Sequence, residues 1–217
     1  MRKLAGAEVL VEQATSRFAD AREWVFKHAL VREVAYESLS DEARKELHAL
    51  AADWLASMGE DAATVAGHYD RGGRHEKAAS HWERAAQRAL ATNALTDALQ
   101  MAERALAFAD DRQQGFRRAM YLDEAWARLD PRASDRETSV SELEANVYDE
   151  ASQVRAEGAR ARFDAARGAG MDITERLLDI RDRAAALGLH DWRLLGASYQ
   201  QRRKRHACST LPTTKGS

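Results

Sequence analysis

Cysteine is nearly missing from this sequence: one residue in 217, Cys208. That excludes a disulfide framework and any cysteine-based zinc site. Proline is almost as scarce, with two residues, and glycine contributes twelve. So few breakers leave long stretches free to be helical. No apolar run approaches the roughly 20 residues that a membrane span needs. The opening M-R-K-L-A-G-A-E-V-L also lacks the apolar stretch of a signal peptide. The expected compartment is therefore the cytoplasm, with no membrane partner. What is abundant is alanine, roughly a fifth of the chain, beside 31% charged residues. Alanine loses no side-chain entropy in a helix, so this balance predicts an all-α protein with a solvated exterior.

Charge of one sign also runs out. The last carboxylate is Asp191; residues 192–217 hold Arg193, Arg202, Arg203, Lys204, Arg205 and Lys215 and no acid. The body before them is acidic, with 27 basic against 35 acidic side chains. An acidic body argues against nonspecific nucleic-acid binding, which needs clustered Lys and Arg. Residues 192–217 lack helical periodicity and read as a basic, disordered tail. A basic tract that binds nucleic acid or an acidic surface is a second reading, and a truncated or frame-shifted end a third.

Periodicity divides the rest. In 1–28, Val9, Leu10 and Val11 lie among acids, and polar residues then lead to Trp24-Val25-Phe26, which predicts a small β-hairpin. From Ala29 to residue 191 the period is helical. A first helix carries Leu30, Val34 and Leu39; Ser40 offers a cap. A second carries Ala43, Leu47, Leu50, Ala51, Trp54, Leu55 and Met58 as one broad stripe, and Gly59 ends it. Further helices are expected at about 61–70, 76–92, 96–109 and 113–129, the last closed by Pro131. A long seventh helix is expected over about 136–167, on an unbroken seam from Val140 to Ala165, and an eighth over about 173–187. Short connections predict antiparallel helical hairpins.

One pair of helices fits a helical repeat. Trp82 is followed by Ala85, Ala86 and Ala89, then by Ala98, Ala102 and Ala105. This resembles the tetratricopeptide pattern, an aromatic anchor with small residues where two helices cross. The match is degenerate, because Ala89 and Ala102 stand where large aromatics are usual. An alanine-rich bundle without a true repeat remains the alternative.

The most specific string is F-K-H-A-L-V-R-E-V-A-Y-E-S-L at Phe26–Leu39, followed by Leu47-His48, Trp54-Leu55 and A-G-H-Y-D-R-G-G-R-H-E-K-A-A-S-H-W at Ala66–Trp82. This succession resembles bacterial signalling proteins that carry a STAND-type, AAA-like ATPase, in which a winged-helix-like segment precedes tetratricopeptide-like helices. Some are fused to a Ser/Thr protein kinase, others to a nucleotide cyclase or a transcription regulator. A-W-A-R-L-D-P-R-A-S-D-R at Ala125–Arg136 is most similar to the kinase-fused members. The resemblance implies that 1–28 is the end of the winged-helix segment and 29–191 a helical arm. The chain has no G-x-x-x-x-G-K-[ST] phosphate loop, no kinase Gly-rich loop, no H-R-D and no D-F-G. No catalytic residue transfers from those relatives, and no cofactor is expected.

Other chemistry finds little support. His28, His48, His68, His75 and His81 include no i, i+4 pair and no H-E-x-x-H, so they read as hydrogen-bonded helix contacts rather than metal ligands. Carboxylates are scattered on polar faces, and Cys208 lacks the partners of a nucleophile. Trp54, Tyr69, Trp82, Phe116 and Trp126 read as core, or as the lining of a groove. If a concave groove exists, Arg74, Lys77, Arg84, Arg88 and Gln100 are the candidate partner-binding residues. The expected function is a non-catalytic protein-interaction and regulatory module attached to an ATPase or kinase. The alternative is a DNA-binding regulator using the winged-helix-like hairpin.

Overall fold

The computed structural model describes residues 9–18, 21–168 and 172–189. The expected basic tail at 192–217 lies outside these residues. The described chain is all-α apart from one antiparallel hairpin. Its strands are β1 (Leu10–Glu12) and β2 (Trp24–Phe26). Nine helices follow among the described residues. They are α1 (Ala29–Glu37), α2 (Asp41–Ser57), α3 (Ala62–Arg71), α4 (His75–Ala91), α5 (Leu95–Leu106), α6 (Arg112–Leu129), α7 (Asp135–Ala145), α8 (Glu150–Ala166) and α9 (Asp172–Ala186). The chain forms two compact units, Met1–Arg88 and Ala89–Ser217. The helical region expected over 29–191 contributes to both.

In the first unit the hairpin pairs Leu10 with Phe26, Val11 with Val25 and Glu12 with Trp24. Leu10 is its buried residue, and α1 packs beside β2. Ser40 caps α2 by accepting from the Ala43 N–H at 3.2 Å, with Asp41 and Glu42 in the first turn favouring the positive helix end. Asp61 caps α3 by accepting from Ala63 and Thr64. Ala49, Ala52 and Leu55 of α2 are buried, as are Val65, Ala66 and Tyr69 of α3, and the two helices pack together. Gly72 lets α3 end against α2. A Cβ there would lie 2.8 Å from the Ala49 backbone nitrogen, a distance that only glycine avoids. Asp53 of α2 accepts from Tyr69 Oη at 2.7 Å and from Lys77 Nζ at 2.8 Å, so one carboxylate joins α2, α3 and α4.

The second unit is built on small residues. Ala98, Ala102 and Ala105 of α5 are buried, and α5 packs on α6. Asn93 adopts φ 60°, the left-handed conformation suited to a helix stop. The Arg128 guanidinium of α6 donates to Leu90 O, a carbonyl in the last turn of α4, at 3.0 Å and to the Asn93 side-chain Oδ1 at 2.7 Å. Phe116 and Ala119 of α6, Val140 and Leu143 of α7, and Ala156, Ala159 and Phe163 of α8 form one apolar core. A second core joins Val154 and Ala161 of α8 to Ile173, Ile180 and Ala184 of α9.

The expected single helix over 136–167 is two helices. It breaks after Ala145, and α8 restarts on a capping box in which Asp149 accepts from the Ser152 N–H at 2.7 Å and Ser152 Oγ accepts from the Asp149 N–H. The apolar seam continues through the break because α7 and α8 pack on each other, so both cover a shared core.

Candidate functional site

Three places concentrate chemistry or exposure. The first is the outer face of the N-terminal unit. Within α1 no residue is buried: Leu30 is 74% exposed and Val34 67%. On α2 the broad stripe read from the sequence divides in two. Leu55 turns inward, whereas Leu47 (51%), Leu50 (58%) and Trp54 (44%) stay open at spacings of three and four. Val25 and Phe26 of the hairpin are also open. The period of the α2 stripe could not reveal this division, which depends on the side of α2 that packs on α3.

The second place is a run of polar contacts among α1, α2 and α3. Tyr36 Oη and His48 Nε2 are 2.9 Å apart, and His48 Nδ1 lies 3.1 Å from His68 Nδ1. These contacts tie α1 to α2 and α2 to α3. With both rings neutral, a proton order exists that satisfies every contact; with both charged, two N–H groups face each other. Burial pushes the pKa of His48 below its ordinary value, and the positive charge of Arg71 adds to this. His68 is pushed down in the same way, first by burial, then by Arg71 and His48. His28 and His75 are exposed. Among the described residues no group of three His, Cys, Asp or Glu side chains gathers where a metal ion could be held.

The third is a charged cluster inside the second unit. Arg136 is 1% exposed and donates from Nε to Asp123 Oδ1 at 2.8 Å and from Nη1 to Pro131 O at 3.1 Å. Asp123 and Arg118 are also buried, and Arg162 Nη2 is 3.8 Å from Asp123 Oδ2. Burial holds the Arg162 pKa down to about 10, against the pull of Asp123. One carboxylate thus serves two guanidiniums. The arrangement ties α6, α7 and α8 together through charge.

The sequence-derived partner residues fall in both units. Arg74, Lys77, Arg84 and Arg88 are exposed in the first, and Gln100 is exposed on α5 in the second. Spacings of seven and four put Lys77, Arg84 and Arg88 on one face of α4. Lys77 is engaged by Asp53, and Arg88 lies 3.6 Å from Asp61. Of the aromatic candidates, Tyr69, Trp82 and Phe116 are buried, Trp126 is half-buried, and Trp54 is open. Comparison with known families, curated proteins and solved structures finds no match to this chain. Among the described residues no helix is long and apolar enough to cross a membrane.

Proposed function

We propose that this chain is a non-catalytic protein-interaction and regulatory module acting in the cytoplasm, the C-terminal helical part of a multidomain bacterial ATPase or Ser/Thr protein kinase signalling protein. One observation carries the reading. Apolar side chains on the hairpin, α1 and α2 stay open to water among the described residues: Leu30, Val34, Leu47 and Leu50, with Trp54 partly covered by the Phe18 ring at 4.7 Å. A fully buried Leu or Val side chain contributes about 1.5–3 kcal/mol, so leaving several exposed is costly unless a partner covers them. The resemblance at Phe26–Leu39 and Ala66–Trp82 supports the ATPase context, and that at Ala125–Arg136 the kinase context.

The test is photo-crosslinking in bacterial cells from a reactive side chain placed at Leu30 or Leu50. The expected outcome is a discrete adduct with another protein domain, absent when the same group sits at the exposed Lys45, on a different face of α2. Sequence-specific retention of DNA by the purified chain would favour the regulator reading instead. ATP turnover by that chain would revive an enzyme.

A further inference from the structure

The second unit carries a groove that the reading above does not use. It lies between α5, α6 and α7 and has a volume of about 610 Å³, within the range of pockets that hold organic ligands or peptide segments. Its apolar wall comes from Leu106, Leu122 and Trp126, and its polar lining includes Glu103, Asp135 and Glu142. No Lys, Arg or His lines it. Glu103 and Asp135 are exposed, and Glu142 is half-buried. Asn146 holds the Glu142 end in place by donating from Nδ2 to the Glu142 carbonyl at 2.8 Å and to its carboxylate at 3.3 Å. Gly115 leaves room for that side chain, since a Cβ there would run into the Asn146 amide.

We infer that this groove takes an extended peptide segment in which Lys or Arg alternates with aliphatic residues. The inference rests on the reading of the chain as an interaction module and names the partner chemistry of one of its faces. Two features select this occupant. The first is charge: three carboxylates without a lining cation attract a basic partner and repel an acidic one. The second is extent. Asp135 and Glu142 are two turns apart on α7, roughly 10 Å at 1.5 Å per residue. A single ammonium group cannot meet both. In an extended chain successive side chains point to opposite sides, so basic residues at every second position recur about 7 Å apart, and long Lys or Arg side chains span the remaining distance to both carboxylates. Aliphatic residues then meet Leu106, Leu122 and Trp126 while basic ones reach the carboxylates.

The probe is a fluorescein-labelled nonapeptide alternating Leu and Arg, titrated against the full chain by anisotropy, with a Leu/Glu peptide as control. The Arg probe is expected to bind, more weakly as salt rises, and the control to stay free. Glu103→Gln, Asp135→Asn and Glu142→Gln keep the side-chain shapes, so the fold is retained and circular dichroism checks it. Each is expected to weaken binding about threefold, as for exposed ion pairs, and the triple variant to weaken it tenfold or more. Tryptophan emission should change on binding in the parent chain and not in Trp126→Phe. Equal binding of the Arg and Glu peptides, or a triple variant as good as the parent, would overturn the inference. So would a gain in probe affinity on changing Arg202, Arg203, Lys204 and Arg205 to Gln, which would hand the groove to the chain's own basic segment. Self-association abolished by the triple variant would hand it to a second copy. These outcomes leave the cross-links from Leu30 and Leu50 untouched, so failure here is distinguishable from failure of the proposed function.

Discussion

At the scale of single residues, the energetics rest on a few polar groups placed where water cannot reach. Asp123 offsets the positive charge of Arg136 and Arg162 inside the α6–α8 core. Removing its charge leaves buried guanidiniums without compensation, a change that typically costs about 3–5 kcal/mol. Asp123→Asn is therefore expected to lower the urea midpoint sharply, if the second unit folds at all. The His48–His68 contact has a milder signature. Their folded pKa values lie below the unfolded value of about 6.5. The unfolded chain then takes up more protons than the folded one below that value. Their contribution to stability is complete above about pH 6.5 and is lost as pH falls through the folded values. Melting temperature should drop between pH 7.5 and 5, and His48→Gln with His68→Gln should flatten most of that drop. His81, also depressed by burial first and then by Arg84 and Lys77, contributes in the same direction. None of this was legible in the sequence, because the spacing 48 to 68 becomes contact only once α2 and α3 cross.

At the scale of elements, most of the helices could be read from caps and period. Ser40 and Asp61 stand where their helices start, and Asn93 takes the left-handed conformation just past the end of α4. The break between α7 and α8 escaped because the seam from Val140 to Ala165 keeps helical spacing across it. The cue was local: Asp149 with Ser152 three residues on is a capping pair, and it outweighs a periodicity that either one or two helices can satisfy. Asp149→Ala removes that cap and is expected to cost about 1 kcal/mol, visible as a lower melting temperature. Amide exchange should rise in the first turn of α8 before it rises in the shared core.

At the scale of the whole molecule, the division of the α2 stripe separates stability from interaction. Leu55 is buried and Leu50, five residues earlier, is open. Leu55→Ala is expected to destabilise the first unit by about 2–5 kcal/mol in urea unfolding. Leu50→Lys is expected to change stability by no more than about 0.5 kcal/mol while eliminating the cross-linked adduct. If Leu50→Lys destabilised as much as Leu55→Ala, the face would be interior rather than interface.

Composition and hydrophobic period determined by themselves that this chain is helical, that a hairpin precedes the helices, and that alanine dominates the buried positions Ala98, Ala102 and Ala105. These are local properties, set by each residue's own conformational preference and its neighbours along one helix. Only the tertiary structure decided which half of the α2 stripe is covered, that two histidines and a tyrosine meet, that one aspartate serves two arginines, and that three carboxylates share a groove whose lining includes no cation. Those outcomes depend on how helices distant in sequence cross, and a one-dimensional pattern of polar and apolar residues does not specify the crossing.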